Sequence, residues 1–234
     1  MTYVMSDLHG EYDKFIAMLE KIGFSDSDEL YILGDIVDRG PQPVKILRRI
    51  MSMPNVYPLL GNHEVMAYEV LKKLTVEITE ENHATHVDSD LMLGILEWQQ
   101  NGGATTMEAF SKLSAEEREE VLEYIGDFYK YEAIDVEEKT FLLVHAGLGN
   151  FKKDKKLSQY SLEELVDSRP DFDKQLFEDN SVYVVFGHTP TKAISGKWEI
   201  YHSANNICID CGAHFGGRLA CLCLETMEEF YIGQ

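Results

Sequence analysis

Short apolar runs alternate with polar clusters along the chain, and their spacing predicts its elements. Tyr3–Met5 reads as a strand ending in Ser6-Asp7-Leu8-His9-Gly10. Phe15, Met18, Leu19 and Ile22 then recur at helical spacing, with Gly23 as the stop. Leu30–Leu33 is a second apolar run, and it leads into Gly34-Asp35-Ile36-Val37-Asp38-Arg39-Gly40. Pro41 and Pro43 open the next helix at its tolerated first turn, Val44, Leu47 and Ile50 form its stripe, and Pro54 closes it. Val56–Leu60 is a third strand, ending in Gly61-Asn62-His63-Glu64. A β-α-β-α-β opening with a polar cluster at every strand end predicts a parallel sheet with one functional rim.

The pattern changes after that. Thr75–Asp90 is polar and irregular, which predicts a loop carrying solvated His83 and His86. Leu91–Gln100 and Ser114–Tyr131 read as helices joined through a turn at Asn101-Gly102-Gly103. The second has a capping box, Ser114-x-x-Glu117, and a stripe of Val121, Leu122, Ile125 and Phe128. Residues 75–131 are expected to form a helical insertion within one domain spanning 1–234. Strand signals resume at Thr140–Val144, ending in His145-Ala146-Gly147, and at Val182–Phe186, ending in Gly187-His188-Thr189-Pro190. Trp198–His202, Asn206–Cys211 and Arg218–Leu224 read as consecutive antiparallel strands.

Composition narrows the choices. The 234 residues, 44% hydrophobic and 26% charged, are those of an ordinary globular protein long enough to bury a substantial core. No apolar stretch approaches bilayer length, and Met1-Thr2-Tyr3-Val4-Met5 has no basic region or cleavage signature, so a cytoplasmic protein is expected. With 21 basic against 41 acidic residues the net charge is −20, which disfavours nucleic acid and repels anionic substrates. A phosphate site would then need concentrated local positive charge from metal ions or arginines. Cys208, Cys211, Cys221 and Cys223 have the makings of a zinc tetrad, but the favoured reading is buried thiols on two strands of a meander.

The strand-end residues Asp7, His9, Asp35, Asn62, His145 and His188 mix carboxylate, imidazole and amide oxygen, the ligand set of Mn²⁺, Fe or Zn²⁺. Six ligands suit two metals sharing a carboxylate. Strand alternation would put Asp7 and His9 on one side. Two ions about 3.5–4 Å apart lower the pKa of a bridging water and clamp phosphoryl oxygens. His63 is then placed to protonate the leaving group if Asp38 orients its ring, and Arg39 is suited to bidentate phosphate binding.

Asp7-x-His9-Gly10, Gly34-Asp35-x-Val37-Asp38-Arg39-Gly40 and Gly61-Asn62-His63-Glu64, with His145 and His188, resemble the metallophosphoesterases of the phosphoprotein phosphatase family. Within it, the chain resembles the bacterial and phage serine/threonine phosphatases and the symmetrical diadenosine tetraphosphatases. Trp98-Gln99-Gln100-Asn101-Gly102-Gly103 with Thr105 is similar to the family's helical-segment signature. Asp210-Cys211-Gly212-Ala213 and Gly216-Gly217-Arg218-Leu219 are similar to its final hairpin. The resemblance implies an α/β fold, a four-layer α/β/β/α metallophosphoesterase sandwich with a helical insertion.

It also implies Asp7, His9 and Asp35 on one metal, and Asp35 (bridging), Asn62, His145 and His188 on the other. His63 would be the proton donor paired with Asp38; Arg39 and Arg169 would bind phosphate. Two divalent ions, Mn²⁺ first, are the expected cofactors. The expected activity is that of a phosphomonoesterase, a serine/threonine protein phosphatase with phosphotyrosine as a further substrate, using direct attack of a metal-bridging hydroxide on phosphorus. The alternatives are a symmetrical diadenosine tetraphosphate hydrolase, for which Lys192 and Lys197 are the nearby basic residues after His188, and a catalytically silent scaffold. The expected partner is a phosphoprotein or phosphorylated small molecule, with neither nucleic acid nor membrane. His214, in the hairpin Gly212–Gly217, is expected to be a bystander.

Overall fold

The computed structural model describes residues 1–76 and 88–233, so His83 and His86 lie outside the described residues. Two five-stranded sheets face each other. In the first, β1 (Thr2–Met5), β2 (Glu29–Ile32) and β3 (Val56–Pro58) run parallel, as expected. β9 (Leu219–Cys223) and β10 (Glu229–Ile232) extend it antiparallel beyond β1. The second sheet has the order β4 (Glu132–Val136), β5 (Lys139–Leu143), β6 (Val182–Phe186), β8 (Asn206–Cys208), β7 (Tyr201–Ser203), parallel across β5, β6 and β8.

Period-two alternation sorts the strand side chains into three cores. Val4, Tyr31, Leu33 and Leu222 meet Phe141, Leu143, Val185 and Ile207 between the two sheets. The neighbours Tyr3, Met5, Leu30, Ile32 and Cys221 face outward and pack on the helices. These include α1 (Tyr12–Ile22), α2 (Pro43–Met51) and α3 (Asn62–Leu74). The same core takes Leu91 and Trp98 of α4 (Ser89–Gln100), Phe110 of α5 (Ala104–Ser111), and Val121 and Ile125 of α6 (Ala115–Gly126). Beyond the second sheet, Val184, Phe186 and Cys208 pack on Leu165 and Val166 of α7 (Leu162–Val166). A short α8 (Thr191–Ser195) follows β6. The layers run helix, sheet, sheet, helix.

Three expectations need correction. The closing segments are not one meander: β7 and β8 pair antiparallel in the second sheet, whereas β9 joins β1 in the first. Non-local pairing with β1 satisfies the β9 backbone better than its sequence neighbour would, because β8 is already flanked by β6 and β7. The cysteines accordingly divide among three cores, with Cys221 and Cys223 outside the first sheet, Cys211 between the sheets and Cys208 under α7. All four thiols are free and buried, and no cysteine joins a metal-competent cluster among the described residues. Lastly, the helix expected over Ser114–Tyr131 stops at Gly126, and Tyr129 bridges to Leu59. Among the described residues no helix is long and apolar enough to cross a membrane.

Candidate metal centre

The loops leaving β1 and β2 run side by side, tied by Asp7 N–H to Gly34 O (3.1 Å), His9 N–H to Asp35 O (2.8 Å) and Gly10 N–H to Ile36 O (2.9 Å). Strand alternation has already ended here. Asp7 and His9 have φ of 54° and 40°, so turn geometry aims them at the site. Asp35, Asp38, Arg39 and His188 also sit at positive φ. Left-handed backbone costs about 1–3 kcal/mol per residue outside glycine, and such strain concentrates at functional sites.

These loops bring most of the expected residues together. One oxygen of Asp35 lies 3.5 Å from His9 Nε2 and 3.9 Å from His63 Nε2; the other lies 3.4 Å from His145 Nε2. Two sets, His9–Asp35–His63 and Asp35–His145–His188, have their ligand atoms within 4.8 Å of one another and share Asp35. The Asn62 amide oxygen is 3.2 Å from His145 Nε2 and 3.1 Å from His188 Nδ1. Asp7 belongs to neither set. Its Oδ2 accepts the His188 N–H (3.0 Å) and the Ser6 hydroxyl. Gly61 and Gly187 are required for this packing, since a Cβ would come within 2.2 Å of Asp35 Oδ1 and 2.1 Å of Asp7 Oδ2 respectively.

The donor set fits metal ions. His9 and His145 each turn Nδ1 to a carbonyl, Val37 O at 3.0 Å and Leu33 O at 2.6 Å, which fixes the tautomer and leaves Nε2 facing the centre. His188 Nε2 is buried with no hydrogen-bond partner. Burial pushes the pKa of His9 and of His188 down to about 3, and lowers that of His145. Burial opposes ionisation of Asp35, but the imidazoles led by His145 hold its carboxyl below the usual range. Asp7 is raised well above that range by burial, by Asp210 and by Asp35.

His63 Nδ1 is 2.7 Å from Asp38 Oδ2, the pairing expected. Burial opposes its protonation, yet Asp35 and the Asp38 hydrogen bond outweigh this and raise its pKa. The helical segment holds Asp38 in place. Trp98 Nε1 donates to Asp38 Oδ2 (2.7 Å), Thr106 Oγ1 donates to Oδ1 (2.6 Å), and Thr106 Oγ1 accepts the Asp38 N–H (2.8 Å). Thr106, rather than Thr105, makes this contact.

Other supports were not assigned from sequence. Buried Glu64 accepts four backbone N–H groups, from Asp35 (2.7 Å), Ile36 (2.8 Å), Val37 (3.1 Å) and Gly61 (2.9 Å), and so shapes the loop carrying Asp35. Its position three residues after Gly61 is the capping-box spacing that could have exposed it. Asp210 adds another buried carboxylate, pushed by burial to about 7 and hydrogen-bonded to the Gly212 N–H at 2.9 Å. Arg39 contacts His9 Nε2, and its guanidinium lies 5.0 Å from the Phe215 ring centroid. Arg169 is exposed, and its charge contributes to lowering the pKa of His188.

The family model for calcineurin-like phosphoesterases matches residues 2–221. The chain belongs to that family. Within it, 80 residues are 39% identical to a symmetrical bis(5'-nucleosyl)-tetraphosphatase of Wigglesworthia glossinidia brevipalpis, covering 32% of this chain and 29% of that enzyme. The Salmonella typhimurium enzyme of the same name is 44% identical over 66 residues, 27% of this chain and 23% of its own. The matches thus span less than a third of these relatives' length. A solved putative diadenosine tetraphosphatase superposes with a TM-score of 0.67 over 99% of this chain and 92% of its own at 18% identity. A Saccharomyces cerevisiae serine/threonine phosphatase gives 0.58 over 100% and 80% at 13%. At those identities the structural likeness speaks for the metallophosphoesterase fold alone.

Proposed function

We propose that the protein hydrolyses a phosphoric anhydride in a dinucleoside polyphosphate, cleaving symmetrically. The observation that carries the hydrolytic reading is the pair His63–Asp38, 2.7 Å apart, next to Asp35, which is shared by two potential ligand sets, one of them including His63. Local identity of 39–44% to symmetrical bis(5'-nucleosyl)-tetraphosphatases supports this substrate class. The sequence alone ranked a serine/threonine phosphatase first, and the relatives reverse that order.

Asp7, His9 and Asp35 would hold one divalent ion, and Asp35, Asn62, His145 and His188 a second, with Mn²⁺ the first choice. When bound, such a pair activates water and neutralises phosphoryl charge. The protein's own groups do the rest. Arg39, steadied by Gly102 O through its N–H (2.9 Å), would bind a phosphate oxygen, and Arg169 would be a second anchor. His63 carries a proton on Nε2 and gives it to the departing oxygen, while Asp38 keeps Nδ1 protonated and the ring aimed. Removal of Asp38's helical supports would leave that ring free to turn.

One observation favours the protein phosphatase reading instead. A cleft of about 520 Å³ leads off Asn62 between Met66 and Val166, and Glu97, Glu163 and Asp167 line it. Those carboxylates suit a basic peptide better than a polyphosphate. Lys192 and Lys197 do not offset them, since Lys192 lies over Trp198 and Lys197 approaches Glu199. The two readings separate in one comparison. The Mn²⁺-loaded protein is given diadenosine tetraphosphate and a phosphoserine peptide with basic flanks. Symmetrical cleavage yields two ADP per molecule at a higher kcat/KM than peptide dephosphorylation. The reverse ranking would make the protein a phosphoprotein phosphatase, and turnover of neither would leave a scaffold.

A further inference from the structure

The turn between β8 and β9 displays a side chain that hydrolysis alone does not require. Phe215 is 51% exposed, forgoing the burial that a phenylalanine ordinarily gains. The turn is nevertheless firmly built. Phe215 N–H and Gly217 N–H both donate to Gly212 O at 2.9 Å, and Arg218 N–H donates to Cys211 O at 2.8 Å. From the start of α1, Lys14 Nζ donates to Ala213 O, and Glu11 Oε1 lies 3.0 Å from His214 Nδ1. Trp198 fills the underside, where a Cβ on Gly212 or Gly217 would approach its ring to 2.2 or 2.7 Å.

This anchored turn puts the Phe215 ring beside the candidate metal centre. Its centroid is 6.5 Å from that of His9, at an interplanar angle of 73°, and 5.0 Å from the Arg39 guanidinium carbon. A phosphate held by Arg39 would therefore carry its substituent past Phe215. We propose that Phe215 is a specificity-determining platform that stacks a flat aromatic ring borne by the bound phosphate, either a purine or an aryl group. The proposal rests on the reading of this centre as a phosphate-binding hydrolytic site. His214 takes no part, because its ring nitrogen is engaged with Glu11.

Binding measurements on the Mn²⁺-loaded protein test this without requiring turnover. Dissociation constants for adenosine monophosphate, phenyl phosphate and inorganic phosphate are measured by calorimetry for the natural protein, Phe215→Leu and Phe215→Trp. Stacking of one ring is worth about tenfold in affinity. Phe215→Leu should weaken at least one of the two ring-bearing ligands about tenfold relative to inorganic phosphate, and Phe215→Trp should restore the ratio. The ligand that responds identifies purine or aryl as the ring. Equal weakening of all three would mean that Phe215 only steadies Arg39, and no weakening would mean that it touches no ligand; either overturns the platform. A protein that hydrolyses nothing yet keeps this ratio change would retire the hydrolase reading and leave the platform standing.

Discussion

At the residue scale, the centre depends on two buried groups whose roles can be separated. His63 is expected to act on the leaving group, so His63→Asn should lower kcat by about 10²–10⁴, the usual contribution of a general acid. Its metal content, read by elemental analysis, should stay that of the natural protein; an undiminished kcat would remove His63 from the mechanism. Glu64 acts through the backbone. Glu64→Gln would turn an amide NH₂ toward N–H groups that now reach a carboxylate oxygen, leaving at least two buried donors unpaired at about 1–3 kcal/mol each. Urea unfolding should register a loss of about 2–6 kcal/mol, and a loss under about 1 kcal/mol would mean that the four hydrogen bonds are dispensable.

At the element scale, the β-α-β-α-β opening was legible because its apolar periods and glycine stops are local signals. The edge strands β4 and β10 were not, since their side chains are only half-buried or exposed. The candidate ligand residues stand out in the sequence as polar clusters at strand ends, whereas Trp98 and Thr106 reach Asp38 across 60 and 68 residues, a distance no local pattern spans. That reach gives a test of α4. A Cβ on Gly103 would come within 2.5 Å of the Trp98 indole, so Gly103→Ala should push Trp98 off Asp38. Misplacing the donor pair should lower kcat by about 10–10²-fold with metals retained, and an unaffected kcat would show that Trp98 is not needed to hold Asp38. A second element, the Asn150–Ser161 loop, is clamped by Glu164. Its carboxylate accepts from Lys155 Nζ (2.7 Å), the Ser161 N–H (2.9 Å) and Asn150 Nδ2 (3.1 Å), which together push its pKa down to about 2. The folded value lies below the ordinary 4.5, so the clamp contributes fully above about pH 4.5 and is lost as pH falls toward 2. Amide exchange at Ser161, corrected for its intrinsic pH dependence, should lose protection through that window. Glu164→Gln should lack that titration, and an identical pH response in the variant would discard the clamp.

At the scale of the whole molecule, the dominant fact is negative charge: −20 overall, with Asp7, Asp35, Asp210 and Glu64 buried in or beside the centre. Burial pushes Glu64 and Asp210 up to about 7, the mark of carboxylates short of positive charge. Divalent ions would supply that charge and bind only the folded chain. A ligand at 100 times its dissociation constant stabilises by about 2.7 kcal/mol, which for a chain of this size raises Tm by about 5–10 °C. Chelation should therefore lower Tm by that amount, and Mn²⁺ should restore it. An acidic surface also collects cations loosely, so the measurement belongs at about 0.15 M salt, where exposed charges are screened beyond about 8 Å. Asp35→Asn separates the two effects. It removes the carboxylate shared by both ligand sets and leaves the surface intact, so its Tm should no longer respond to Mn²⁺ or to chelator. If Asp35→Asn responds to Mn²⁺ as fully as the natural protein, the stabilisation comes from the surface and the shared-carboxylate centre loses its support.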